Sequence, residues 1–254
     1  MRILIVAGVA LTVVSVGAIQ DATIVTNPPE RFTMRVVTSG LDGPWELTWG
    51  PDSHLWATER RGRRVIRVNP ADGTRSTLIT VHEVHQSVTQ DGLLGLALHP
   101  DFLKSLVGNN DVYLAFTYDD APGPALARRM GIRRYQYDAN ARTLTAPVDV
   151  IMGLPTHDDH VGGRLVIGRD LKLYLSIGDL GSNFGANRCN ENRAQDLPTM
   201  SQIGKGDWSN YQGKILRLNL DGSIPDDNPA INGVRSHVFS YGHRNPLGLV
   251  VGSK

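Results

Sequence analysis

Short apolar runs recur along this chain, each broken by a turn of Gly, Pro, Asp or Asn. Leu47-Thr48-Trp49 leads through Gly50-Pro51-Asp52 into His54-Leu55-Trp56-Ala57-Thr58, and Arg64-Val65-Ile66-Arg67-Val68 then closes on Asn69-Pro70-Ala71-Asp72-Gly73. Alternation at period two between turn formers predicts strands, and helical periodicity is weak after the first residues. The unit returns as Leu96-Ala97-Leu98-His99-Pro100-Asp101 followed by Val112-Tyr113-Leu114-Ala115-Phe116 and Ile132-Arg133-Arg134-Tyr135-Gln136-Tyr137. A third copy runs from Arg164 to Asp170, then Leu173 to Ile177, and after a polar interval from Lys214 to Asn219. His237-Val238-Phe239-Ser240 is read as the opening of a fourth.

Repetition of a strand, a Pro-Asp turn and a second strand predicts an all-β fold, and more narrowly a β-propeller. A β-sandwich or a solenoid also uses short strands with regular turns. A blade takes roughly 40–50 residues, so the expected content is about three and a half blades, a truncated propeller. Residues 247–251 form an apolar run expected to begin a further strand.

Residues 3–16 form an uncharged run behind Met1-Arg2 and end near small residues. It is shorter than the roughly 20 residues that span a bilayer. The expectation is a signal peptide over 1–18, one propeller portion over 19–254, a periplasmic or secreted protein and no stable membrane span. Lys plus Arg number 26 against 25 Asp plus Glu, a net charge of +1, which gives no basic field for nucleic acid. Cys189 is the only cysteine, which excludes an internal disulfide and a multi-cysteine metal site.

Four segments at strand–loop boundaries carry candidate chemistry. Thr89-Gln90-Asp91-Gly92 places a polar pair before a strand, a pattern equally suited to loop capping. Thr156-His157-Asp158-Asp159-His160 gathers imidazoles and carboxylates, suited to proton abstraction, to a divalent ion, or to a solvated loop. Gly178-Asp179 sets an acid at the end of an apolar strand, where it either forms a turn or orients a histidine. Gly242-His243-Arg244-Asn245-Pro246 offers a guanidinium and an amide in a turn restricted by Pro, suited to an oxygen-rich anionic ligand.

These segments, with Thr58-Glu59-Arg60, Gly163-Arg164-Leu165-Val166-Ile167-Gly168 and the run from Leu216 to Pro225, resemble the glucose/sorbosone dehydrogenase family and its soluble quinoprotein members. The resemblance implies a six-bladed propeller that oxidises an aldose at its anomeric carbon to the lactone, with pyrroloquinoline quinone (PQQ) held by Ca2+ and an external electron acceptor. It implies His160 as base and Asp179 as the acid behind it. It also implies that Arg244, Asn245 and Gln90 contact the cofactor, and that Gln90 and Asp159 line the substrate pocket. Val161 stands where the family pattern has Gln. Calcium ligands are expected beyond Lys254, the truncated chain is expected to be inactive, and a homodimer is open. The alternatives are a non-catalytic propeller module that binds sugars or proteins, and a propeller lactonase.

Overall fold

The computed structural model describes residues 33–104, 109–121, 123–181 and 185–252. The expected signal peptide lies outside them. Strands β1 (Pro44–Trp49), β2 (Leu55–Glu59), β3 (Arg64–Val68) and β4 (Arg75–Thr80) form an antiparallel four-stranded sheet in chain order. The next blade repeats this order with longer strands, β5 (Leu93–Leu98), β6 (Asp111–Asp119), β7 (Arg128–Asp138) and β8 (Thr143–Pro155). The third blade opens with β9 (Gly162–Ile167) and β10 (Lys172–Ile177). An excursion carrying the short helix α1 (Met200–Lys205) leads to β11 (Lys214–Asn219). A hairpin of β12 (Ala230–Ile231) and β13 (Val234–Arg235) then precedes the last strand, β14 (Val238–Tyr241), which pairs with β11.

The described residues form three four-stranded sheets, and the run at 237–240 does not open a fourth. Leu216 pairs with Val238 and Ile215 with Ser240, so the run read as the opening of a fourth blade is the outer strand of the third. The inserted hairpin disguises it, because it separates β11 from its partner by nearly the length of a fresh turn and strand. The apolar run 247–251 carries no strand pairing.

The recurrent Gly-x-Asp turn has a structural cause that appears twice. Asp52 accepts from Trp56 Nε1 at 3.2 Å and from Arg67 Nε at 2.6 Å, tying the β1–β2 turn to the third strand of its blade. Asp170 accepts from Tyr174 Oη at 2.9 Å and from Arg217 Nη2 at 2.8 Å in the equivalent place of the third blade. Gly50 is required beside the first of these turns, since a Cβ there would stand 2.6 Å from Trp56 Nε1.

The blades stack through two apolar layers. Trp56, Val65, Leu93, Phe102, Leu114 and Tyr137 pack between the first and second, with Trp56 edge-on to Phe102 at 5.3 Å and to Tyr137 at 5.1 Å. Leu94, Tyr113, Ile132, Leu165, Leu175 and Leu216 do the same between the second and third. Each such leucine contributes about 2 kcal/mol of burial. The first strands β1, β5 and β9 lie side by side. Because every sheet is an antiparallel meander, alternate connections emerge at one end. Residues 81–92, 156–161, 178–213 and 242–245 therefore share that end. Among the described residues no helix is long and apolar enough to cross a membrane, which says nothing of a β-barrel.

Candidate active site

His160 sits at the mouth of β9 with a left-handed backbone, φ 49°. Histidine tolerates this region better than most side chains. The turn is fixed on both sides: the His160 amide donates to Asp159 Oδ1 at 2.9 Å, and Gly178 donates to the Val161 carbonyl at 3.3 Å. Its imidazole Nδ1 meets Asp179 Oδ1 at 2.6 Å, and the two residues are only 4% and 3% exposed. A carboxylate only accepts, so Nδ1 carries the hydrogen in this contact.

Asp179 is itself held. It accepts from the Gly181 amide at 3.1 Å and from Asn192 Nδ2 at 3.4 Å, and its own amide donates to the Arg244 carbonyl at 2.7 Å. Gly178 lies between these strands so tightly that a Cβ there would come 1.7 Å from the His160 carbonyl oxygen and 3.2 Å from that of Arg244. Only glycine allows the His160 turn and the Arg244 segment to close on the end of β10.

A second chain of polar contacts runs beside the first. Asn245 Oδ1 accepts from the Gly162 amide at 3.1 Å, while Asn245 Nδ2 donates to Gln90 Oε1 at 3.2 Å. Gln90 Nε2 in turn donates to Asp159 Oδ1 at 2.8 Å. All six residues singled out in the sequence thus converge at one end of the blades: His160, Asp179, Asp159, Gln90, Asn245 and Arg244. Arg244 joins through its carbonyl, and the residue borders a cavity of about 440 Å³ together with Asp179, Asn192, Gln195 and His243. Burial holds the His243 imidazole below its ordinary pKa, helped by the charge of Lys214.

Sequence reasoning gave three contributors no role of their own. Asn192 lies in a polar run that reads as loop, and only its contact with Asp179 marks it. Lys214 opens a strand, yet its ammonium is fully buried among main-chain carbonyls. Asp91 is also fully buried, accepting from Arg128 Nε at 3.1 Å and from the Ser87 amide at 2.8 Å, and so anchors the segment that presents Gln90. An Asp directly before a Gly-bounded strand was the available signal. Among the described residues no group of three His, Cys, Asp or Glu side chains is arranged to hold a metal ion.

Fold and site together define a propeller-type protein that gathers an imidazole, its orienting carboxylate and several amide groups at one mouth of its blades. The sequence model described as Glucose / Sorbosone dehydrogenase matches residues 41–254, and the chain belongs to that family. It is similar to quinoprotein glucose dehydrogenase B of Acinetobacter calcoaceticus, 46% identical over 223 residues, covering 87% of this chain and 46% of that one. An aldose sugar dehydrogenase of Escherichia coli is 31% identical over 225 residues, covering 88% of this chain and 54% of the other. Among solved structures, the PQQ-bound aldose sugar dehydrogenase of Streptomyces coelicolor superposes with a TM-score of 0.65 at 32% identity, over 84% of this chain and 54% of that one. The chain spans about half the length of the curated relatives it matches.

Proposed function

We propose that this chain supplies the proton-abstracting side of an aldose dehydrogenase that uses PQQ and oxidises the anomeric carbon of a sugar to the lactone. The observation that carries the reading is the buried 2.6 Å contact between His160 Nδ1 and Asp179 Oδ1. Nε2 of His160 accepts the proton of the anomeric hydroxyl, and Asp179 holds the ring in that tautomer and offsets the imidazolium charge. Asp159, steadied by Gln90, accepts from neighbouring sugar hydroxyls.

The donor types fit a planar, oxygen-rich cofactor: Arg244 borders a cavity of about 440 Å³, and the carboxamides of the next residue, Asn245, and of Gln90 are hydrogen-bonded to each other. PQQ, when bound, supplies the two-electron acceptor for the hydrogen that leaves the anomeric carbon. The fixed charge of Arg244 favours the negative charge that develops there. Among the described residues no group of three His, Cys, Asp or Glu side chains is placed to hold calcium. Electrons pass on to an external acceptor. The uncharged run over residues 3–16 supports export to the periplasm or medium.

The test is glucose-dependent dye reduction with PQQ and calcium, read on this chain and, where the gene continues past Lys254, on the longer product. His160→Ala is expected to lower turnover about 10³-fold. Unchanged turnover in that variant would remove His160 as base. Lactone hydrolysis with calcium alone, and no dye reduction, would move the chain to the lactonase reading.

A further inference from the structure

Lys214 is a charged side chain with no exposure, and the chemistry proposed above makes no use of it. Its Nζ donates to the carbonyls of Arg193 at 3.0 Å, Ala194 at 2.8 Å and Gln212 at 2.8 Å. These three acceptors account for all three ammonium hydrogens, so the charge is solvated by backbone instead of by a carboxylate. A buried ammonium so held is costly to place and selective about its surroundings.

The carbonyls it holds belong to the frame of the site. The Ala194 carbonyl also accepts from the Gly242 amide at 2.9 Å. Gly213, beside Lys214, accepts from the His243 amide at 3.1 Å and donates to the Gly178 carbonyl at 2.7 Å. From Gly178 the chain passes to Asp179, whose amide bonds the Arg244 carbonyl. Asn192, two residues before Ala194, reaches the Asp179 carboxylate. Lys214 therefore stands where the 192–194 loop, the end of β10 and the exit from β14 meet.

We infer that Lys214 is a positioning residue for this site. Its ammonium clamps the 193–194 loop and the 212–213 turn to the 242–245 segment, and so sets where Asn192, Arg244 and Asn245 stand relative to His160 and Asp179. This rests on the dehydrogenase reading for its consequence in catalysis, but the clamp itself is independent of it. Burial pulls the Lys214 pKa down to about 8, against the opposing pull of Asp196, which agrees with an ammonium held by neutral acceptors.

The test compares Lys214→Met, which keeps the stem and removes the donors, with Lys214→Gln, which keeps two of them. Amide hydrogen exchange is followed residue by residue, and PQQ binding is followed by tryptophan fluorescence. In Lys214→Met the Gly242 and His243 amides are expected to lose about tenfold in protection while β5 to β8 keep theirs. PQQ affinity falls with them, and Lys214→Gln recovers part of both. Unchanged protection at Gly242 and His243 in both variants would overturn the inference. So would a loss spread evenly over all three blades, the mark of a merely structural lysine. If Lys214→Met does not fold, the same amides in Lys214→Gln decide the matter. If neither the unaltered chain nor a longer product binds PQQ, the dehydrogenase reading fails, while the exchange data still judge the clamp.

Discussion

Gly178→Ala puts the packing of the site to a direct test. The added methyl carbon would stand 1.7 Å from the His160 carbonyl oxygen, and an ordinary C···O contact needs about 3.3 Å, so the two strands must part by roughly 1.6 Å. Neither neighbour is the end of a flexible side chain. The obstruction is main chain, fixed by Gly178 donating to Val161 and by Gly213 donating to Gly178. Overpacking of this kind costs about 3 kcal/mol, which lowers the melting midpoint of a chain this size by about 6–12 °C. If His160 and Asp179 act as proposed, a separation above about 1 Å between them also costs turnover about 10²-fold. Thermal melting and dye-linked turnover measure the two effects. Gly204→Ala serves as control, because its Cβ meets nothing within 4 Å and should leave both readings near those of the unaltered chain. A Gly178→Ala protein that melts and turns over like its parent would refute the claim that glycine is obligatory there.

Two further outcomes follow from the same structure. Asp179→Asn should leave the fold intact while lowering turnover about 10³-fold or more, since an amide no longer fixes the tautomer that frees Nε2; steady-state kinetics beside a thermal melt will check it. Burial raises the Glu46 carboxyl to about 7 from its ordinary 4.5, against the attraction of Arg164 2.8 Å away. A raised acid contributes stability that is complete below its unfolded pKa and is lost as pH rises through the folded value. The chain should therefore give up about 3 kcal/mol from Glu46 between pH 4.5 and 7.5. Buried His237, held down to about 4, works in the opposite direction on acidification. The pH profile of Glu46→Gln minus that of the unaltered chain isolates the first effect, and identical profiles would remove it.

Strand after strand was readable because the turns are explicit: Gly50-Pro51-Asp52 and Gly168-Arg169-Asp170 announce the first hairpins of their blades and even share an Asp–Arg tie. The outer strands were harder. β4 buries only Leu78 fully, and β8 carries a run of five exposed residues, Thr145 to Asp149, so neither shows a clean alternation, and β14 was mistaken for a new unit because a hairpin intervenes. The site residues stood out by type, since His, Asp and Arg at strand ends are costly without partners. Their support did not. Asn192 and Lys214 act through main-chain geometry and contacts across the fold, which no local pattern encodes.

The hydrogen bond from Asn245 to Gln90 joins residues 155 apart in sequence. In a flexible chain, closing such a loop would cost on the order of 4 kcal/mol, far more than one amide pair returns. Stacking of the blades bears that cost first, so the contact is local by the time it forms. As the chain leaves the ribosome, the site is absent until the third blade has docked and residues 242–245 have followed it. Binding at this mouth accordingly waits for residues 242–245, and a ligand that recognises it reports on the stacking of these three blades, not on any one of them.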